Sequence, residues 1–361
     1  YPGGKIYSGY KVKLVQTEII EGVRGNRVAL YPSHDRNFIK RALNYLSFFI
    51  TAFTYLWLKS KKNNKVYVYH PPITVGLAAA FVHKLGGPRY ILDVQDLWPN
   101  TLGSTGMVNN PTVLKVIGAL SRFVYQNAET VIAQSQGFQA ELIKMGVKKN
   151  QLTTIYNWCD ESRVVIEKKV AKSKLKWRDQ VVMVYCGNLG PAQDLHNVLE
   201  AISLVQERVE NFKFIMVGTG IDKESLLQRT VELGLNNVEF WGRKPRAEIP
   251  SILAAADFAL VSLRSDPLFD ITLPSKMQEY MFAAKPIVAV GGTELRKLVK
   301  ESGAGLAIPA GDPTGLAEAL IHIAQMDETR RMEYSKAGFS YYEANLSFKI
   351  GVKKFCSHLK T

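Results

Sequence analysis

The stretch Asp270-Ile-Thr-Leu-Pro-Ser-Lys-Met-Gln-Glu-Tyr-Met-Phe-Ala-Ala-Lys-Pro-Ile-Val288 decides the fold. Pro274, then Ser275, then Gln278 three residues on, predict a helix start with a capping box. The apolar run Pro286–Val290 predicts a buried strand directly after that helix. A helix handing over to a buried strand is the repeating unit of a parallel α/β sheet. The free amides of such a start favour an anion. The approach Thr272-Leu273-Pro274-Ser275 is therefore a candidate anion-binding turn, with Lys276 adding charge and Glu279 placed to accept hydrogen bonds from a sugar diol. The plainer alternative is an ordinary capped helix in an α/β core.

Working outward, the second half repeats the pattern. Val181–Cys186, Phe212–Val217, Val238–Trp241 and Phe258–Leu263 read as strands. Asp194–Val209, Asp222–Leu233 and a run opened by Asp312-Pro313 and ending near Gln325 read as helices between or after them. Strands alternating with helices imply a doubly wound parallel sheet, whose ligands bind beyond the carboxyl ends of the strands. Three glycine turns fall at such ends: Cys186-Gly-Asn-Leu-Gly190, Val217-Gly-Thr-Gly220 and Trp241-Gly-Arg-Lys244. Each alone is weak, since many βα turns need glycine for packing. None has the full spacing and acidic partner of a nicotinamide site. Their convergence with the Ser275 helix start on one crevice makes Gly187, Asn188, Gly190, Gln193, Gly218, Gly220, Arg243 and Lys244 candidate ligand contacts.

The first half carries the theme less completely. Lys65–Tyr69, Tyr90–Val94 and Thr130–Ala133 read as buried strands. The usual first strand with its glycine-rich turn is not evident after Tyr1, so this half reads as a Rossmann-type domain lacking its opening βα unit. The predicted organisation is a domain over 1–158, a second over 159–335, and a C-terminal segment over 336–361. The charged stretch Glu161–Asp179 shows little apolar periodicity and reads as a linker or lid.

Composition narrows the partners. The 361 residues carry a net charge of +14, and 47% of them are apolar. Residues 1–158 hold 19 lysines and arginines against 7 acidic residues, a balance of +12, and the remainder holds only +2. Such a field favours an anionic partner: nucleic acid, acidic lipid or a phosphorylated substrate. No nucleic-acid recognition module is evident. The segment Ala42–Leu58 is apolar and aromatic, with Arg36, Lys40 and Arg41 before it and Lys59, Lys61 and Lys62 after it. A core helix, a helix lying on an acidic membrane surface and a short span all remain open for it. Cys159, Cys186 and Cys356 are too far apart in sequence for a metal motif or a disulfide framework, which suits a reducing compartment. No Asp-x-Asp metal motif is present, Asp93 and Asp96 being wrongly spaced. His70, before Pro71-Pro72 at a strand end, is the one histidine worth testing as more than structural.

Three strings together, Tyr185-Cys-Gly-Asn-Leu-Gly-Pro-Ala-Gln-Asp-Leu195, Val217-Gly-Thr-Gly220 and Pro274-Ser-Lys-Met-Gln-Glu-Tyr-Met281 with Lys285-Pro-Ile-Val288, resemble glycosyltransferase family 4. Tyr69-His-Pro-Pro-Ile-Thr-Val-Gly76 and Asp93-Val-Gln-Asp-Leu-Trp-Pro99 resemble its branch for O-antigen, colanic acid and capsule synthesis, which includes N-acetyl-L-fucosamine transferases. The resemblance implies a GT-B fold of two Rossmann-like domains facing across a cleft. It implies a retaining, metal-independent enzyme without cofactor, taking a sugar, N-acetylated in this branch, from a UDP-sugar bound by the C-terminal domain. It implies a polyprenyl-diphosphate-linked acceptor at the N-terminal domain, and a place in the cytoplasm at the inner face of the plasma membrane. In such folds the last helix crosses back to the first domain, which would apply to Lys336–Leu359.

The same resemblance assigns roles. Glu279 fits the second of the family's paired glutamates, the ribose ligand, while the first falls at Ile271, beside Asp270. The family's diphosphate-holding Arg and Lys fall at Asn188 and Gln193. That leaves Lys276 and the helix start to carry the phosphate charge, with Arg243 or Arg264 as helpers. Gln95 stands where many members have a histidine and cannot act as a base, so Asp96 is the better catalytic candidate in that turn. These departures leave open a nucleotide-binding scaffold without turnover, and a GT-B UDP-sugar epimerase stands as a further alternative.

Overall fold

The computed structural model describes Ile6 and residues 13–33, 38–70, 72–162 and 166–359, with the Phe38 side chain left out. Tyr1, Arg36, Pro71 and residues 163–165 of the charged stretch lie outside the described residues. The chain forms two compact units, one of residues 1–134 and 138–154, the other of 135–137 and 155–361.

In the first unit, β1 (Val15–Ile20) and β2 (Val23–Val28) form an antiparallel hairpin that the sequence reading did not anticipate. Helix α1 (Phe38–Lys59) follows. Then come β3 (Lys65–His70), α2 (Ile73–Lys84), β4 (Arg89–Val94), α3 (Asn100–Ser104), α4 (Pro111–Asn127), β5 (Thr130–Ala133), α5 (Gln136–Lys144) and β6 (Leu152–Thr154). The four strands β3-β4-β5-β6 pair in that order, all parallel. Tyr90, Ile91, Leu92 and Val94 are fully enclosed because β4 is apolar on both faces. Gly76 lets α2 meet α4, since a Cβ there would stand 2.6 Å from Val124.

The segment expected to be a core, interfacial or spanning helix is α1, and it is two-sided. One face packs inward, with the Phe49 and Phe81 rings 5.9 Å apart. Its polar residues fasten the preceding chain. Asn44 donates to the Tyr31 carbonyl, Ser47 accepts from the Tyr31 amide and Thr51 donates to the Ala29 carbonyl. The other face leaves Ile39, Leu43, Leu46, Ile50 and Trp57 exposed. Among the described residues no helix is long and apolar enough to cross a membrane.

The second unit runs α6 (Lys168–Leu175), β7 (Val181–Cys186), α7 (Leu195–Gln206), β8 (Phe212–Val217), α8 (Lys223–Glu232), β9 (Val238–Gly242), α9 (Ile249–Ala255) and β10 (Phe258–Ser262). It continues with α10 (Lys276–Phe282), β11 (Ile287–Gly291), α11 (Thr293–Ser302), β12 (Gly305–Pro309), α12 (Pro313–Gln325), α13 (Glu328–Asn345) and α14 (Phe348–Leu359). All six strands are parallel, in the order β12-β11-β10-β7-β8-β9. One face of the sheet is covered through Leu199, Leu226 and Leu320, the other through Leu253, Met277 and Tyr342. Chain order reverses at β7, flanked by β8 and β10, which makes its carboxyl end the switch point where a crevice opens.

The stretch read as a linker or lid is instead partly helical and anchored. Lys168 and Lys172 of α6 both reach the buried Asp257, at 3.0 and 2.6 Å. Trp177 is buried against Trp241, ring centroids 5.2 Å apart. Four lysines in α6 conceal the one residue, Ala171, that it buries deeply.

Candidate functional site

The carboxyl ends of β7, β8 and β9 enclose a cavity of about 560 Å³ in the second unit. Gly187 and Asn188 follow β7, Gly218 and Thr219 follow β8, and Arg243 and Lys244 follow β9; all six line it. Ser275 and Glu279 bound it from the start of α10.

The glycines serve the two turns themselves before any ligand. Gly218 sits at φ +151°, and a Cβ there would lie 1.7 Å from the Gly187 carbonyl oxygen. Gly220 likewise faces the Leu189 carbonyl, where a Cβ would lie 2.0 Å away. Backbone hydrogen bonds Gly187 N to Val217 O (2.8 Å), Leu189 N to Thr219 O (3.0 Å) and Gly218 N to Gly242 O (2.8 Å) lock the three turns together. A rigid rim of main chain results, which is the pre-organisation a binding site needs.

The expected capping box does not form. Ser275 is itself helical (φ −58°, ψ −19°), and its hydroxyl makes no capping bond. Ser275 lines the cavity instead. Gln278 is buried, and its amide nitrogen, in the orientation its surroundings demand, donates to the Pro274 and Ser275 carbonyls at 3.0 Å each. The turn is thus tied from below rather than capped from above.

Lys276 is half-buried behind Gly187 and is not part of the cavity wall. Its stem occupies the space a Gly187 Cβ would need, and its ammonium lies 4.6 Å from the centre of the Tyr185 ring. Burial pulls that ammonium down to about 8, against the opposing pull of Cys186 and Glu279. Of the expected ligand contacts, the cavity gathers Gly187, Asn188, Gly218, Arg243, Lys244, Ser275 and Glu279. Gly190, Gln193, Gly220, Thr272, Leu273 and Pro274 are not among the residues that line it. Asn188 donates to the Gln193 side chain (3.3 Å), and Thr272 donates to the Leu268 carbonyl (2.7 Å). Arg264 lies over the Phe269 ring and beside Asp266. Asp270 turns away to the start of α11, accepting from the Thr293 amide at 2.8 Å.

Sequence reasoning missed Trp158, Cys159, Asp160, Arg246 and Ile249, which also line the cavity. Trp158-Cys-Asp160 signalled only a domain end, and Arg246 stands two residues beyond a turn already singled out. With Arg243 and Lys244 it makes one wall cationic. Among the described residues no cluster of three His, Cys, Asp or Glu side chains could hold a metal ion.

In the first unit, the turn after β4 holds the other candidates. Gln95 donates to Asp93 at 2.8 Å, and Asp93 also accepts from Tyr67 at 2.5 Å. Gln95 therefore orders its own turn. Burial pushes the Asp96 carboxyl up from its ordinary range. His70 is fully enclosed under the Tyr125 ring, and burial pulls it down to about 4, so it is neutral near pH 7.

Two family models match the chain. "Glycosyl transferase 4-like domain" covers residues 15–158, and "Glycosyl transferases group 1" covers 180–326. The probable glycosyltransferase WbjE of Pseudomonas aeruginosa is 28% identical over 75% of this chain and 68% of its own length. The putative colanic acid biosynthesis glycosyl transferase WcaI of Escherichia coli K12 is 27% identical over 74% of this chain and 65% of its own. The chain thus spans about two thirds of the length of these relatives. The crystal structure of Anabaena Alr3699/HepE in complex with UDP-glucose superposes with a TM-score of 0.68 at 19% identity, covering 91% of this chain and 86% of that one.

Proposed function

The chain belongs to the group 1 glycosyltransferases of family 4, GT-B in fold, and from that premise we propose that it moves a sugar from a UDP-sugar to a lipid-linked glycan acceptor in bacterial surface polysaccharide synthesis. One observation carries the reading: a single cavity at the sheet's switch point joins Glu279, a rigid glycine rim and the cationic wall of Arg243, Lys244 and Arg246. Glu279 accepts the ribose hydroxyls. Arg243 and its neighbours, with Lys276 behind Gly187, offset the diphosphate charge that grows as the sugar leaves. The bond from the anomeric carbon to the phosphate oxygen breaks, and the acceptor hydroxyl bonds to that carbon on the same face. Its proton passes to the departing phosphate oxygen. The N-acetylated character of the sugar, and the absence of a metal requirement, are carried by family likeness. The acceptor falls to the first unit, where Asp96 is the group that would contact it. The presence of colanic acid synthesis in the name of WcaI supports the setting.

A second reading has one observation in its favour. Asn188 and Gln193 bond to each other where a cationic pair would strengthen diphosphate binding, which suits a chain that holds nucleotide without turning it over.

Thermal unfolding with UDP, GDP and NAD in parallel tests the donor site. A ligand at 100 times its dissociation constant adds about 2.7 kcal/mol. Stabilisation by UDP alone, lost in Glu279→Ala, is expected. An unchanged UDP shift in that variant, or no shift with any nucleotide, overturns the assignment. Release of UDP from UDP-sugars in the presence of lipid-linked acceptor then separates turnover from mere binding.

A further inference from the structure

The second unit has another cavity, at the opposite ends of its strands. It measures about 660 Å³ and lies between α6, α9, the turn from α10 into β11, and α13. The donor cavity uses the carboxyl ends; this one is bounded by Asp257 and Pro286, which precede β10 and β11. Nothing in the proposed reaction uses it.

Its floor and rim are apolar where water would otherwise sit. Leu253 and Phe282 line it, and Met332 and Phe339 of α13 leave 46% and 36% of their surface exposed around it. Five cationic residues also line it, Lys168, Lys169, Lys285, Arg331 and Lys336, against three acidic ones. The acidic residue within the core is already spent. Both oxygens of Asp257 are engaged, by Lys168 on one side and by Lys172 and the Val182 amide on the other.

Lys285 is the group left over. It is only 8% exposed, and its ammonium donates to two neutral acceptors, the Ala254 and Ala256 carbonyls, at 3.0 Å each. Burial, with Lys168 and Lys172 close by, outweighs the opposing pull of Asp257 and Glu328 and brings its ammonium down to about 7. Arg331 on the same wall spends its Nη1 on the Ile323 and Ala324 carbonyls, and its buried Nε has no partner among the described residues. A buried cation whose neighbouring carboxylates, Asp257 and Glu328, do not offset its burial and the like charges around it is costly, and a further anion beside it lowers that cost.

We propose that this cavity binds an amphipathic anion, a carboxylate or phosphate monoester on a medium-length alkyl chain, with the head at Lys285 and Arg331 and the chain against Phe282, Met332 and Phe339. A free fatty acid and a lipid phosphate share this chemistry, so the test separates them by head group.

Titration calorimetry with decanoate, decyl phosphate, octyl glucoside and inorganic phosphate, each below its micelle concentration and with UDP saturating, reads the site directly. One of the two alkyl anions, or both, should bind one per chain, about tenfold or more tighter than octyl glucoside and inorganic phosphate. The stronger of the two identifies the head group. Lys285→Met should bring the anions down to the octyl glucoside level. Ser335→Trp, which fills the rim without touching a buried charge, should abolish binding of all amphiphiles. Equal binding of neutral and anionic amphiphiles, or binding that survives Ser335→Trp, overturns the proposal, the latter by placing the amphiphile elsewhere on the surface.

Discussion

At the scale of one residue, Lys276 sets function against stability. Its ammonium sits at about 8 in the fold against 10.5 when free, so folding disfavours the charged form. That penalty is fully present below pH 8 and fades as pH rises from 8 to 10.5. Lys276→Met removes it and should stabilise the ligand-free protein near pH 7 by on the order of 1–2 kcal/mol, discounted for the partial exposure of the side chain. The same charge is what a diphosphate needs. UDP affinity of the wild type should therefore fall by roughly tenfold between pH 7 and pH 9.5, while the Met variant binds weakly with a flat profile over that range. A flat wild-type profile measured by calorimetry would remove Lys276 from the donor site. The sequence identified Lys276 and Glu279 through their spacing from Pro274. It could not reveal that Gly187 shields the lysine, because that contact joins residues far apart in the chain.

At the scale of the element, the glycine turns answer first to packing. Alanine at Gly218 would drive its Cβ into the Gly187 carbonyl, and neither main chain can yield. We expect Gly218→Ala to cost about 3 kcal/mol or more in denaturant unfolding. Gly242 (φ +66°) has open space around its missing Cβ, so alanine there should cost only about 1–2 kcal/mol. Equal costs at the two positions would mean that backbone strain, not the contact between turns, governs this rim. Legibility follows the same logic. Strands β7, β8 and β10 are largely apolar runs, broken only by Lys213 in β8 and Ser262 at the end of β10, and buried on both faces, and their bounds were readable to within a residue. The hairpin was not, because Val15–Ile20 and Val23–Val28 expose both faces and so carry no inside-outside pattern. β12 is an edge strand bounded by Gly305 and Pro309, and β6 is three residues long; neither offers periodicity to find. The capping box failed for another reason. Ser275 lines a cavity, and Gln278 holds the turn from the core, an arrangement the spacing alone cannot distinguish from a cap.

At the scale of the whole molecule, charge and exposed apolar surface fall in the same half of the chain. Residues 1–158 carry a balance of +12, and α1 contains no acidic residue at all. Its exposed Ile39, Leu43, Leu46, Ile50 and Trp57 recur at the spacing of one helical face. Such a stripe could seat a second copy, but Lys40 and Arg41 near one end of the helix and Lys59 at the other would meet like charges in either orientation. An acidic lipid surface would meet both needs, taking the apolar stripe into its interface and the flanking Lys61 and Lys62 against its head groups. Each such cation near the surface contributes about 1 kcal/mol at low salt, and screening shortens that reach as salt rises. Sedimentation with phosphatidylglycerol vesicles should therefore carry the protein down at low salt, with markedly less binding at high salt and little to phosphatidylcholine. Leu46→Glu with Ile50→Glu, both on exposed positions, should leave the fold intact and cut partitioning by about tenfold or more, since two buried apolar side chains become two repelled charges. If the wild type ignores acidic vesicles at low salt, the basic half serves something other than a membrane.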